Sequence, residues 1–339
     1  MATAIVESPR VEAKNNPTIR KVKLESSTLL ALAYAKDAHF YFKRGNARAE
    51  SGDIKGAIKD FNQVIRINPN VAEGYYCRGN ARATLGDVKG AIEDYNQAIR
   101  INPNFAFAYN DRGIARVGSG DVKGAIEDYN QAIRINPNFD LPYNNRAFAR
   151  AGSGDVKGAI EDYNQAISIN SNFAFAYNDR GFARAGSGDV KGAIEDYNQA
   201  IRINPNFAFA YNDRGIARAG SGDVKDAIKD YNQAIRINPN FDLPYNNRGF
   251  ARVGSGDVKG AIEDYNQAIR INPNFAQAYY NRGIARASSE DDHLAIDDLQ
   301  KAANLFQQQG NTAKYQAVVE KIKQIGSRLA ITQSKSFAA

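Results

Sequence analysis

An asparagine occurs every 34 residues through the middle of the chain. The members of this asparagine row are Asn110, Asn144, Asn178, Asn212 and Asn246. A primary amide offers both a hydrogen-bond donor and an acceptor, so it can pair with a peptide unit whatever side chains that peptide carries. A row of such amides on stacked elements could hold an extended peptide backbone. The alternative is that these asparagines cap turns or bond to neighbouring repeats.

Two rows of arginine follow the same interval. Members of the two rows, such as Arg112 and Arg116, are four residues apart, which places them on one side of a helix. Guanidinium groups in that arrangement could bind phosphate or acidic peptides. The alternative is internal pairing with carboxylates of the same repeat, such as Glu127 and Asp128. The rows are Arg44, Arg78, Arg112, Arg146, Arg180, Arg214, Arg248 and Arg282, and Arg48, Arg82, Arg116, Arg150, Arg184, Arg218, Arg252 and Arg286.

Residues that could support catalysis are sparse. The chain has one cysteine, Cys77, and two histidines, His39 and His293, which are far apart in sequence. This excludes a disulfide within the chain and argues against a metal site or a histidine-dependent catalytic centre. Glycine-containing turns such as 118–121 have no lysine–serine pair after them, so they are not phosphate-binding loops. We therefore expect a protein that is not an enzyme and has no cofactor or metal.

The net charge of +7 is concentrated at the two ends of the chain. Residues 1–71 carry 12 Lys and Arg against 7 Asp and Glu, and residues 310–339 carry 5 against 1, which leaves −2 for residues 72–309. A nucleic-acid-binding array is expected to carry a basic stripe along its length. The charge therefore argues against nucleic acid as a partner and favours internal pairing of the arginines.

The sequence also bears on localisation. No stretch approaches the roughly 20 apolar residues of a membrane-spanning helix. We therefore expect no transmembrane segment and a cytoplasmic protein. A secretion signal is the alternative, because a basic stretch at 20–23 precedes apolar residues at 29–32 and the small residues Ala33 and Ala35.

The repeating unit predicts a helix, a turn and a second helix. In the second repeat, residues 73–84 are expected to form the first helix and residues 87–101 the second. Asp87 suits the N-cap of the second helix. Pro103 disfavours helical geometry in the residue before it and so ends that helix. Asn104 is expected to cap the first helix of the next repeat.

Numbered from its first residue, this repeat has aromatic residues at positions 4 and 24, small residues at 8, 20 and 27, and proline at 32: Tyr75, Tyr95, Gly79, Ala91, Ala98 and Pro103. The pattern resembles the tetratricopeptide repeat family, and in particular the near-identical arrays of cyanobacterial proteins. It departs from the family at Ala147, which occupies position 8 of the fourth repeat, and at Ser171, which replaces one proline.

The resemblance covers residues 38–309 and implies an all-α, right-handed superhelical α-solenoid of eight helix-turn-helix repeats. Residues 310–339 are expected to form a C-terminal capping helix and a flexible tail, the alternative being a free partner-binding helix. Residues 1–37 are expected to be a mostly disordered tail with a short helical lead-in. The repeats begin at residues 38, 72, 106, 140, 174, 208, 242 and 276.

The resemblance also implies a binding site, because ligands of this family usually contact positions 2, 5, 6, 9, 12 and 13 of the first helices on the concave side. Position 5 carries the asparagine row. Position 2 carries Phe107, Leu141, Phe175, Phe209 and Leu243. Position 6 carries Asp111, Asn145, Asp179, Asp213, Asn247 and Asn281. Position 9 carries Ile114, Phe148, Phe182, Ile216 and Phe250.

These observations predict a non-enzymatic scaffold or adaptor for complex assembly or regulation. Its partner would be a protein or extended peptide segment held in the concave groove. Amides would pair with the peptide backbone, and the apolar residues at positions 2 and 9 would receive alternate side chains. The alternative is an RNA- or anion-binding helical array that uses the arginine rows. The sequence predicts no oligomeric state.

Overall fold

The computed structural model describes residues 36–338, which form seventeen helices and no strand. The expected all-α class is therefore confirmed for this part of the chain. The predictions for the N-terminal tail, its lead-in and a secretion signal fall on residues outside the described range. The helices are α1 Lys36–Glu50, α2 Ile54–Ile67, α3 Ala72–Thr84, α4 Val88–Ile101, α5 Ala106–Gly118, α6 Val122–Ile135, α7 Asp140–Gly152, α8 Val156–Ile169, α9 Ala174–Gly186, α10 Val190–Ile203, α11 Ala208–Gly220, α12 Val224–Ile237, α13 Asp242–Gly254, α14 Val258–Ile271, α15 Ala276–Ser288, α16 Asp292–Gln308 and α17 Thr312–Ala338.

The chain divides into two compact units between Ala183 and Arg184. Odd-numbered helices up to α15 are the first helices of the repeats, and even-numbered ones are the second helices. From α1 to α8 in the first unit, and from α10 to α16 in the second, each helix packs against the next one in sequence. First helices of successive repeats also contact each other, as α5 and α7 do in the first unit and α13 and α15 in the second. Each unit is thus a stack of helical hairpins.

The turn within each hairpin follows from its sequence. Gly86 has a φ of +82°, which is a left-handed conformation that suits glycine. The Asp87 carboxylate then accepts a hydrogen bond from the Gly90 N–H at 2.9 Å and caps α4, as predicted. The prediction that Asn104 caps α5 is wrong. That helix has Phe105 at its N-cap with no side-chain cap, and the Asn104 N–H instead donates to the side chain of Asn102.

Small residues at the helix crossings make room for the aromatic residue at position 24. A Cβ atom added to Gly79 would lie 2.7 Å from Cε1 of Tyr95, a distance at which the ring would have to move. Ala91 and Ala98 are fully buried beside that ring. Gly79 is therefore a point of close approach between the two helices of the repeat. Tyr95 is itself buried, and its hydroxyl donates to the Asn80 side chain at 2.7 Å.

Helix α17 covers the end of the second unit. Val318 and Ile325 are buried against a cluster that includes Leu299 and Phe306 of α16. Arg328 adds an ion pair with Asp292, with its Nε 3.1 Å from the carboxylate. The helix continues to Ala338, through the segment for which a tail is predicted. This packing supports the prediction of a cap, which repeat arrays need to keep their terminal apolar surface from water.

Deletion of residues 312–339 is expected to cause aggregation, because it would expose the buried side chains of Leu305 and Phe306. Size-exclusion chromatography with light scattering over a range of protein concentrations measures this. A truncated protein with the same monodispersity and helical signal as the full chain would show that α17 is not a cap.

Candidate functional site

The first helices present a row of exposed apolar side chains at position 9, which we call the position-9 row. In the first unit Ile114 is 47% and Phe182 56% exposed, and Phe148 between them is half-buried. In the second unit Ile216 is 49% and Phe250 69% exposed. Large apolar residues with this much exposure are unusual when they recur on one side of successive helices, and such surfaces mark interaction sites.

At position 2 of the first helices, some side chains pack against the start of the next first helix and one is partly exposed. Phe107 packs on the ring of Phe139 with centroids 4.7 Å apart, and Phe209 packs on Phe241 at 4.6 Å. Phe175 is 39% exposed. The residues at this position therefore join neighbouring repeats in part, and Phe175 adds to the apolar surface of the first unit.

The asparagine row at position 5 is buried. Asn110, Asn144, Asn178 and Asn212 are each at most 3% exposed, and Asn246 is 7% exposed. A buried amide must satisfy its donor and acceptor inside the protein, because leaving one unmade costs free energy. The row therefore lies within the stack of first helices, below the surface that carries position 9.

In the first unit the amides form bonds between repeats. The Asn145 amide donates to the Asn110 side-chain oxygen at 2.9 Å, and the Asn110 amide donates to Asp111 at 2.8 Å. The second carboxylate oxygen of Asp111 accepts from the Tyr76 hydroxyl at 2.7 Å. Three successive repeats are thus joined through one carboxylate and two amides.

In the second unit the same positions form the same bonds. The Asn247 amide donates to the Asn212 oxygen at 3.0 Å, and the Asn212 amide donates to Asp213 at 3.1 Å. The Asn281 amide donates to the Asn246 oxygen at 2.9 Å. These contacts favour the alternative interpretation of the asparagine row, in which position 5 bonds to neighbouring repeats.

Position 6 lies between the buried row and the exposed one. Asp111, Asp179, Asp213 and Asn247 are half-buried, whereas Asn145 is 7% exposed. Positions 6 and 9 are three residues apart, so they lie on one side of each helix. The structure therefore brings positions 6 and 9 together at the surface and places position 5 beneath them.

Aspartates of the second helices hold arginines of both rows. In the third repeat, Arg112 Nε lies 2.9 Å and Nη2 2.5 Å from the two carboxylate oxygens of Asp128, and Arg116 Nη1 lies 2.9 Å from the same group. Asp128 is buried, whereas the neighbouring Glu127 is exposed. The predicted internal pairing is therefore made by the aspartate of the Glu–Asp pair. These guanidinium groups are turned toward the protein, which argues against an anion-binding track.

An amide that the sequence interpretation missed extends this arrangement to the preceding repeat. Arg112 Nη1 donates to the Asn96 side-chain oxygen at 2.7 Å, and Arg214 makes the same bond to Asn198 at 2.6 Å in the second unit. The sequence does indicate this contact, because the asparagine represented by Asn96 and Asn198 also recurs every 34 residues. Arginine at position 7 thus joins its own repeat to the one before it.

Acid is expected to weaken the first repeat through Asp60. The hydrogen bond from Arg44 lowers the pKa of Asp60 below its usual value of 3.8. A carboxylate whose pKa is lower in the folded state stabilises the protein above its unfolded pKa, and this contribution is lost as the pH falls through the folded value. The stability difference between the wild type and Asp60→Asn should therefore be largest at neutral pH and shrink below about pH 4.

Urea unfolding of both proteins at about pH 7, 5 and 3 measures the stability difference, which should fall only in the acid range where Asp60 becomes protonated. If the stability difference between the two proteins were the same at all three pH values, protonation of Asp60 would not change the contribution of the ion pair.

Cys77, at position 6 of the second repeat, is buried. Burial raises the pKa of its thiol to about 12, so the reactive thiolate is scarce at neutral pH. Across residues 36–338, no three His, Cys, Asp or Glu side chains are grouped as a metal site would require. Within the same range no helix is long and apolar enough to span a bilayer.

Comparison with known proteins agrees with this geometry. The sequence model described as TPR repeat matches the chain seven times, over residues 45–86, 79–120, 115–154, 151–188, 185–222, 217–256 and 251–289. The chain belongs to the TPR repeat family. The tetratricopeptide resemblance seen in the sequence is therefore confirmed. No curated protein matches this TPR chain.

Solved structures that are similar to this chain include another tetratricopeptide repeat protein. A tetratricopeptide repeat protein from Parabacteroides merdae has a TM-score of 0.58 and 19% identity, with 75% of this chain and 98% of that one covered. The Cut9–Hcn1 hetero-tetramer of the APC/C has a TM-score of 0.63 and 16% identity, with 80% and 52% covered. MamA is 28% identical over 47% of this chain and 93% of its own, with a TM-score of 0.43. The first two support the expected α-solenoid fold.

Proposed function

We propose that this TPR protein is a non-enzymatic scaffold or adaptor that binds an extended segment of a partner protein, for complex assembly or regulation. In each unit the contact surface is the side of the first helices that carries position 9, and its main contacts are members of the position-9 row. The observation that carries the proposal is the exposure of Ile114, Phe182, Ile216 and Phe250, which recur at one position of the repeat. Burying such side chains on a partner is a favourable source of binding free energy.

The asparagine row has a supporting part in this proposal. The five asparagines are buried, and three of them, Asn110, Asn212 and Asn246, accept a hydrogen bond from the next repeat, which fixes the spacing of the first helices that they join. A rigid spacing reduces the ordering cost of binding. The polar groups nearest the peptide are then at position 6, which holds Asp111, Asn145, Asp179, Asp213 and Asn247.

The identity of the repeats indicates the kind of partner. Position 9 carries a large apolar residue in each repeat from the third to the seventh, so neighbouring binding positions are alike. An extended segment with apolar side chains at regular intervals fits such a row better than a compact, asymmetric surface. RNA and free anions are less suited, because the arginines that would bind them are engaged by buried aspartates such as Asp128 and Asp264.

The test compares three full-length baits in a lysate of the native host. They are the wild type, a groove variant with Phe182→Ser and Phe250→Ser, and a control with Leu85→Ser and Leu294→Ser. Leu85 and Leu294 are also exposed apolar residues, but they lie outside positions 2, 5, 6 and 9.

The groove variant should lose partners that the control retains, with a loss in affinity of about tenfold or more when the captured partner is purified, because central apolar contacts often contribute more than 1 kcal/mol each. Equal capture by all three baits would contradict the proposal. Loss of capture on nuclease treatment would instead support the RNA alternative.

A further inference from the structure

A chain of polar side chains begins on the capping helix and enters the stack of first helices in the second unit. The Lys314 ammonium of α17 donates to the Gln277 oxygen at 3.1 Å. The Gln277 amide donates to the Asn281 oxygen at 2.9 Å, and the Asn281 amide donates to the Asn246 oxygen at 2.9 Å. Three bonds thus connect α17, α15 and α13.

The same chain continues along α13 and into one more repeat. The Asn246 amide donates to the Asn247 oxygen at 3.3 Å, and the Asn247 amide donates to the Asn212 oxygen at 3.0 Å. The Asn212 amide then donates to the Asp213 carboxylate at 3.1 Å. Asp213 is three residues from Ile216 and lies on the same side of α11, so the chain ends beside the position-9 row.

All six bonds run in one direction. Every amide accepts on its oxygen from the capping side and donates from its nitrogen toward Asp213, so the bond dipoles add. The Lys314 ammonium begins the series and the Asp213 carboxylate ends it. Their charges polarise each amide so that its hydrogen bonds become stronger. Hydrogen bonds arranged in this way strengthen one another, the more so in a poorly solvated interior. Asn212 and Asn246 are buried, so the middle of the chain meets that condition.

The geometry points to a cooperative hydrogen-bond relay that couples the seating of α17 to the Asp213 carboxylate beside the position-9 row. Lys314 is its positioning residue. The ammonium lies 5.1 Å from the centroid of the Phe306 ring, which holds it on the capping side of Gln277. The capping helix then does more than shield the last repeat, because its position sets the polarisation of amides on α13 and α11. The inference requires no ligand and is independent of the proposed function.

The test is the NMR spectrum of the side-chain amides in the full-length chain with ¹⁵N-labelled asparagine and glutamine. Lys314→Met removes the cation that begins the series. The NH₂ signals of Asn281, Asn246 and Asn212 should then move upfield, because each donor makes a weaker hydrogen bond. Lys321→Met is the matched control, since it removes an ammonium from the same helix that donates to Gln324 within α17. It should leave those three signals unchanged.

Two further variants keep the result interpretable. Lys314→Arg retains the charge and should restore the wild-type positions of the amide signals. Gln277→Leu breaks the relay one step further on and should reproduce the upfield shifts of Lys314→Met at Asn246 and Asn212. Shifts confined to Gln277 in Lys314→Met would overturn the inference, because the bonds would then be independent pairs. Equal shifts in Lys314→Met and Lys321→Met would also overturn it, since a general loss of charge would explain them.

Discussion

Replacing Asp128 by alanine is expected to destabilise the third repeat by about 3–5 kcal/mol, the usual cost of removing one partner from a buried ion pair. Asp128 is 3% exposed and accepts from both Arg112 and Arg116. Its loss would remove the carboxylate shared by the two guanidinium groups, one of which also joins the repeat to Asn96. Urea unfolding followed by the helical signal measures the effect. Because repeats are coupled mainly to their neighbours, an early partial transition should appear.

Glu127→Ala is the matched control for this prediction. It removes the adjacent carboxylate on the same helix, but from an exposed position. Surface substitutions away from special contacts usually change stability by no more than about 0.5 kcal/mol. If the two variants unfold at the same urea concentration, the aspartate does not hold the arginine rows, and those rows become candidates for anion binding.

Replacing Leu299 by alanine is expected to cost about 2–5 kcal/mol, the range for truncating a fully buried leucine. Leu299 occupies position 24 of the last repeat and lies with Phe306, Val318 and Ile325 in the cluster that joins α16 to α17. The truncation would therefore leave a cavity beneath the capping helix. Thermal unfolding should show a lower midpoint, and limited proteolysis should cleave α17 more rapidly than in the wild type.

Leu294→Ala supplies the control, because this leucine is on the same helix but is 44% exposed. Its effect should stay within about 0.5 kcal/mol of the wild type. Equal destabilisation by the two leucine variants would mean that the repeat register assigned to α16 is incorrect.

The helices and their crossings could be predicted because their causes are local. The N-cap role of Asp87 and the close approach of Gly79 to Tyr95 depend on residues within one repeat. The pairing of Arg112 with Asp128 was also accessible, since the two are 16 residues apart in the same hairpin and the charge of the array is near neutral. The same pattern occurs in eight repeats, and each occurrence is further evidence for these predictions.

The orientation of the asparagine row was not accessible from the sequence. Position 5 lies on the edge between the exposed side of a first helix and its contact with the next one. Whether the amide turns outward depends on the rotation and spacing of the helices, which sequence spacing does not fix. The bond from Asn145 to Asn110 crosses 35 residues, and the bond from Lys314 to Gln277 lies outside the periodic pattern.

Photo-crosslinking from the position-9 row tests the central claim most directly. A benzophenone amino acid is placed at Phe250 in one full-length protein and at Leu294 in another, both of them exposed sites in the second unit. Irradiation in the native host should attach a partner protein to the Phe250 site and none to the Leu294 site. The same partner at both sites, or at Leu294 alone, would contradict the claim that the apolar surface of the first helices is where this TPR protein binds.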